Sequence, residues 1–158
     1  MNKKDHGSHI EALRGCSRSR AMLMYQFLTK AEEYGLDMEK FGREVFNECG
    51  CIRAQKSFPE TDSIKDFAEV YQTEDWIKTF DTVIRECTDD KLVVNSYYCP
   101  LLEAWQELTD DKEKIALICD IAMDGDRALA ARYPNFNFEV PKSLAKGDPY
   151  CEVIVTKN

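Results

Sequence analysis

The sequence predicts an α+β domain in which an antiparallel sheet of about four strands is covered by helices. Three observations lead there. Residues 8–77 carry apolar stripes at helical spacing. The β-branched runs come in two pairs, FDTVIREC with KLVVNSYY and NFNFEV with CEVIVT, and two helical patterns stand between the pairs. Hairpins kept apart from helices in this way define the α+β class. With 158 residues, 44% of them hydrophobic, the chain can bury one sizeable core, so a single domain spanning 1–158 is expected.

Residues 1–7 are polar and expected to be disordered. A helix follows from Ser8 or Ile10 to Gly35, carrying Leu13, Met22, Tyr25 and Leu28, with Gly15 and the serines at 17 and 19 as a place where it could break in two. Asp37 reads as the N-cap of a second helix that stops near Gly50, which leaves Cys49-Gly-Cys51 at its end. Ser63 caps a short helix, and Thr73-Glu74-Asp75 opens another. Phe80–Cys87 and Leu92–Tyr98 form the first hairpin around an acidic turn. A helix then runs to about Leu108, and a second, with Asp110 and Glu113 as its capping box, from Asp111 to about Arg132. Phe136, Phe138 and Val140 alternate on one strand, and Cys151, Val153 and Val155 on another. Gly147-Asp148-Pro149 lies in the connection between them.

A net charge of −8 argues against nucleic acid or an anionic membrane surface as the main partner. No apolar run approaches the roughly 20 residues that span a bilayer, and MNKKDHGSHI has no apolar region behind its lysines, so a cytoplasmic protein is expected. A small-molecule substrate or ligand is the expected partner, and a homodimer through the N-terminal helices is a further reading. Seven cysteines in such a chain read as reduced thiols, divided among buried, metal-bound and catalytic roles.

The chemistry concentrates in residues 97–127. Cys99 sits at a strand-to-helix corner before Pro100, an N-cap position where free N–H groups and the helix dipole favour a thiolate. Cys119 and Asp126, seven residues apart, share one stripe of the next helix. Asp120, Asp124 and Arg127 occupy the neighbouring stripe, where Asp124 and Arg127 can pair. Gly125 in a helix interior points to close packing, a kink or a ligand. Trp105 reads as core first and pocket lining second, and Asp148 most simply as a turn residue satisfying backbone N–H groups.

The strings CPLLEAW, ICDIAMDGDRALA, NFNFEV and Gly147-Asp148-x-x-Cys151, with SRAMLMYQFLTKAEEYGLD and ECGCIR upstream, resemble the L-2-amino-thiazoline-4-carboxylic acid hydrolase family. The resemblance implies a hydrolase of cysteine metabolism that opens a thiazoline ring to give a carbamoyl-cysteine, on a fold similar to ligand-binding domains of the vinyl-reductase and TRAPP type. Its motif residues here are Cys99, Cys119, Asp120, Asp124, Asp126, Gly147, Asp148 and Cys151. Opening a cyclic amidine needs attack on its central carbon, a proton for the departing atom and recognition of the carboxylate. Cys99, Cys119 or Cys151 could attack as thiolate, with Asp126 moving protons. Alternatively, the three thiols could hold a zinc-bound water. Arg127 or Arg132 could hold the carboxylate, with Asp124, Asp148 and Trp105 as further substrate contacts. Both schemes require these groups to gather around a shared hollow. The competing reading is a non-catalytic small-molecule-binding or regulatory domain of the same fold, favoured by the lack of any histidine beyond His6 and His9.

Overall fold

A computed structural model describes Met1 and residues 3–158. Four helices come first: α1 (Ser8–Glu33), α2 (Met38–Ser57), α3 (Ile64–Tyr71) and α4 (Glu74–Phe80). The hairpin β1 (Thr82–Cys87) and β2 (Lys91–Ser96) follows, then α5 (Pro100–Leu108), α6 (Lys112–Ala122), α7 (Asp124–Ala130), β3 (Phe136–Lys142) and β4 (Cys151–Lys157). A short 3₁₀ turn, Leu144–Lys146, lies between the last two strands. The sheet is antiparallel throughout in the order β1-β2-β4-β3, which is the expected α+β class.

Local signals set most boundaries. Asp37, Ser63 and Thr73 cap α2, α3 and α4 by accepting backbone N–H groups three residues on. Gly35, at φ 82°, closes α1. The cap of α6 is Asp111, accepting from Lys114 N–H, rather than Asp110.

Packing decides the remainder. Gly15 does not interrupt α1, which is continuous. Nor does α2 stop at Gly50, because a Cβ there would lie 2.2 Å from the Gly125 carbonyl oxygen; the glycine lets α2 cross α7 at backbone contact. Cys49 and Cys51 are therefore exposed on a mid-helix turn. The helix expected over 111–132 is two helices, broken at Met123. Phe80 belongs to α4, and Asp81 ends that helix in the left-handed region, at φ 48°, so the strand begins at Thr82.

One face of the sheet, with Leu92, Val94, Val153 and Val155, packs on Phe67, Tyr71, Leu129, Tyr133 and Phe136. A second cluster joins Ala21, Met24 and Leu28 of α1 to Leu102 and Trp105 of α5 and Ile115, Ile118 and Ile121 of α6. The opposite sheet face stays partly exposed at Val93, Ile154 and Thr156. Residues 3–7, expected to be disordered, are held on the fold: Lys4 N–H donates to Asp81 at 2.8 Å and His6 meets the same carboxylate at 2.6 Å. Buried Arg14 completes that cluster, 3.1 Å from Asp81.

Candidate functional site

The chain brings three distant cysteines to one end of the covered sheet face. Cys99 is the N-cap of α5, three residues beyond the end of β2. Cys151, the first residue of β4, pairs with Ser96, and Ser96 pairs in turn with Thr82. Residues directly opposite in an antiparallel ladder share a face. Thr82, Ser96 and Cys151 thus form a row of small polar side chains that extends the Val94–Val153 row, and the Thr82 and Ser96 hydroxyls are 2.8 Å apart. Cys119 reaches this end from α6, which packs on the 3₁₀ turn.

Buried Ser143 links the thiols. Its hydroxyl lies 3.7 Å from Cys119 Sγ and accepts Ala145 N–H at 3.2 Å. It also hydrogen-bonds Cys151, whose sulfur accepts Leu144 N–H at 3.3 Å. Asp148 holds this turn from outside the cluster, accepting Ser143 N–H at 2.8 Å. Asp148 is thereby a turn residue, as its simplest reading has it.

Burial governs the thiols' charge. Desolvation pushes Cys99 far above the usual thiol range, and the neighbouring Cys119 and Cys151 push it further. The Leu102 and Leu101 N–H groups at the helix start offset this only in part. The expectation of a Cys99 thiolate is corrected, because helix-end polarity is smaller than the cost of taking a thiolate out of water. Desolvation also lifts Cys119 to about 11, against a favourable Ser143 hydrogen bond. Cys151 is raised by burial too, with Leu144 N–H and Ser143 both pulling it back. All three keep a partly accessible edge, whereas Cys16, Cys49, Cys51 and Cys87 are exposed.

The acids and arginines lie elsewhere. The break at Met123 separates Asp126 from Cys119. Asp126 faces Arg53 across 3.4 Å, and burial raises its carboxyl despite that cation. Asp120 and Asp124 together take both Arg127, at 2.6 and 2.5 Å, and Arg43 of α2, at 2.8 and 2.9 Å. Arg127 is thus engaged within its own helix layer. Arg132 is similarly engaged, with the Ala54 and Phe58 carbonyls and Glu60. Trp105, 1% exposed, donates its indole N–H to the Ala21 carbonyl inside the core.

Zinc does not fit the donor set. Among the described residues no group of three or more His, Cys, Asp or Glu is placed to hold a metal ion, so Cys99, Cys119 and Cys151 do not form the cage that a zinc site needs. An open surface depression of about 620 Å³ lined by Glu60, Thr61, Asp62, Arg132, Tyr133 and Pro134 includes none of the thiols.

Sequence reasoning missed Ser143, Ser96, Thr82 and the Leu144 N–H. Counting back from the acidic turn would set Thr82 opposite Tyr97; an irregularity between Ile84 and Glu86 shifts the register and brings Ser96 opposite instead, which no sequence signal marks.

The comparisons agree with this architecture. The family model of L-2-amino-thiazoline-4-carboxylic acid hydrolase matches residues 16–155. No curated protein matches the chain. Among solved structures, a trafficking protein particle complex subunit 3 from Naegleria fowleri, covalently bound to palmitic acid, superposes with a TM-score of 0.58 at 14% identity. The match covers 90% of this chain and 95% of that one, and it shows the shared fold. No helix among the described residues is long and apolar enough to cross a membrane. With the family model spanning nearly the whole chain, from within α1 into β4, the protein belongs to the L-2-amino-thiazoline-4-carboxylic acid hydrolase family.

Proposed function

We propose that the protein hydrolyses a small cyclic amidine acid of the 2-amino-thiazoline-4-carboxylate type, with Cys151 as nucleophile and Ser143 as its hydrogen-bonding partner. The observation that carries this is the position of the Cys151 sulfur, which accepts Leu144 N–H at 3.3 Å and bonds to Ser143. It combines a backbone N–H donor with a hydroxyl donor, both of which act against the cost of its burial. The assignment moves the attack from Cys99, whose burial opposes ionisation most strongly.

A neutral thiol suits this substrate class. An amidine nitrogen is basic, so the bound substrate takes the thiol proton, which creates the thiolate and activates the ring carbon together. Sulfur adds to that carbon, the ring C–S bond breaks, and the departing sulfur is protonated from solvent through the Ser143 hydroxyl. Water then attacks the adduct carbon and the Cys151 thiol leaves. The net change is one water added and one ring bond opened. No histidine is required, which accounts for a site that has none. The test is turnover of 2-amino-thiazoline-4-carboxylate by purified protein. Ring opening abolished by Cys151→Ser in a folded variant supports the reading, and full activity in that variant rejects it.

A second reading, a non-catalytic small-molecule-binding domain, is supported by burial that keeps all three thiols protonated. The structural relative that carries palmitic acid is compatible with it. Absence of turnover together with saturable ligand binding that Cys151→Ser does not alter would favour this reading. The cytoplasmic location and the homodimer through α1 and α2 stand as further proposals. Leu23, Phe27, Phe41, Val45 and Ile52 lie exposed on those two helices, and a sedimentation profile with only monomer would reject the dimer.

A further inference from the structure

The exposed side of the sheet is chemically unlike the rest of a chain with net charge −8. Just past the last β2–β4 pair, Ser96 with Cys151, Tyr97 and Tyr150 stand side by side, their ring centroids 5.5 Å apart. A cation meets each phenol. Lys142 Nζ donates to the Tyr150 oxygen at 2.7 Å and sits 4.7 Å from its ring centroid. Arg85 donates to the Tyr97 oxygen and lies 5.9 Å from that ring's centroid.

Ammonium and guanidinium groups only donate. Each phenol oxygen is therefore an acceptor here, and its own O–H is left to donate. Among the described residues the Tyr150 O–H meets no acceptor, while the Tyr97 phenol has the Asn95 side chain as a further hydrogen-bonding partner. The one carboxylate close to a cation of the cluster is Glu152, 3.7 Å from Lys142 and itself mostly buried; Arg85 makes no ion pair among the described residues. The guanidinium also pulls the Tyr97 phenol below its usual range, which makes that O–H a stronger donor.

We propose that Arg85, Tyr97, Lys142 and Tyr150 form a binding site for a small anion, a carboxylate or a phosphate, on the exposed face of the sheet. The Tyr150 O–H, polarised by Lys142, stands beside the remaining donors of Lys142 and Arg85, a set of charge-assisted donors that suits an oxyanion. The paired rings add flat apolar walls, so the fitting ligand joins one anionic group to a small planar or apolar body. Lys142 pairs with Glu152, the strand residue after Cys151, and consecutive strand residues point to opposite faces. This site is therefore separate from Cys151, the neighbour of Tyr150, and does not depend on the ring-opening reading.

The test is calorimetric titration of the full chain with sodium phosphate and with sodium acetate, at ionic strength held constant with chloride. Saturable binding is expected, and the stronger of the two probes identifies the ligand chemistry. Tyr97→Phe with Tyr150→Phe, and separately Arg85→Met with Lys142→Met, should weaken it about tenfold or more, as expected for charge-assisted hydrogen bonds. Lys112→Met, on α6, should leave it unchanged. Thermal midpoints check folding, and the single changes Tyr97→Phe and Lys142→Met replace any double variant that fails to fold. No saturable heat with either probe, or wild-type affinity in the tyrosine variants, overturns the proposal.

Discussion

Cys119 and Asp120 are consecutive residues of α6, and their surroundings differ sharply. Asp120 joins Asp124, Arg127 and Arg43 in an ion-pair layer that ties α2, α6 and α7 together. Burial pushes Asp120 up, yet the guanidinium donors of Arg127 and Arg43 more than offset it and hold the carboxyl below its usual range. Cys119 turns instead toward Ser143, Cys99 and Cys151, where no cation compensates for burial strongly enough and the thiol rises to about 11. A motif that reads as one catalytic string is divided by the helix surface into a fastening side and a reactive side. The lesson is that charge density in a sequence marks where a fold is tied, while chemistry sits where polar groups stay neutral.

Substitutions on the two sides should therefore fail in different ways. The largest effect is expected at Cys151. Its change to Ala should reduce ring opening by about a thousandfold or more, with a thermal midpoint near wild type, as steady-state kinetics and calorimetry would show. Asp120→Asn should do the opposite, keeping most activity while lowering stability; parity between the two variants in activity would erase the division.

Next comes Gly50→Ala, which sets a methyl group against the Gly125 carbonyl at the crossing of α2 and α7. We expect a loss of about 1–3 kcal/mol, read as a lower thermal midpoint. Gly15→Ala, where nothing lies within 4 Å, should be neutral or slightly stabilising.

Smaller again is the Asp124–Arg127 pair. Arg127 is 40% exposed, so solvent screening limits a double-mutant cycle to about 1 kcal/mol. A value near zero would mean that Arg43 alone carries the fastening.

The most narrowly confined effect is on pH dependence. A thiol raised in the folded state gives stability that is fully present below its unfolded value. That stability is lost as pH rises from the unfolded value of 9.0 through the folded value, about 11 for Cys119. Denaturation of wild type and Cys119→Ala should differ in slope only in that alkaline window. Asp120, held low, has the opposite sign: its contribution is present above 3.8 and lost at more acid pH.

Much of this was legible in the sequence, and the reason is range. Caps at Asp37, Ser63 and Thr73 act over three residues, and the two hairpins declare themselves by alternation. The errors lie where distant residues decide. Gly50 stays inside α2 because of Gly125, and the acids of α6 and α7 are engaged by Arg43, some eighty residues earlier. Cysteines could be singled out by type. Ser143 could not, because a serine before a turn is commonplace until the fold sets it between two sulfurs.

The neutral, gathered thiols are tested most directly by alkylation across pH with each cysteine followed by peptide mass mapping. Cys16, Cys49, Cys51 and Cys87 should label at ordinary rates near neutrality. Cys99, Cys119 and Cys151 should lag until alkaline pH, with the inflection for Cys119 near 11. Labelling of those three as fast as the exposed four at neutral pH would contradict the account.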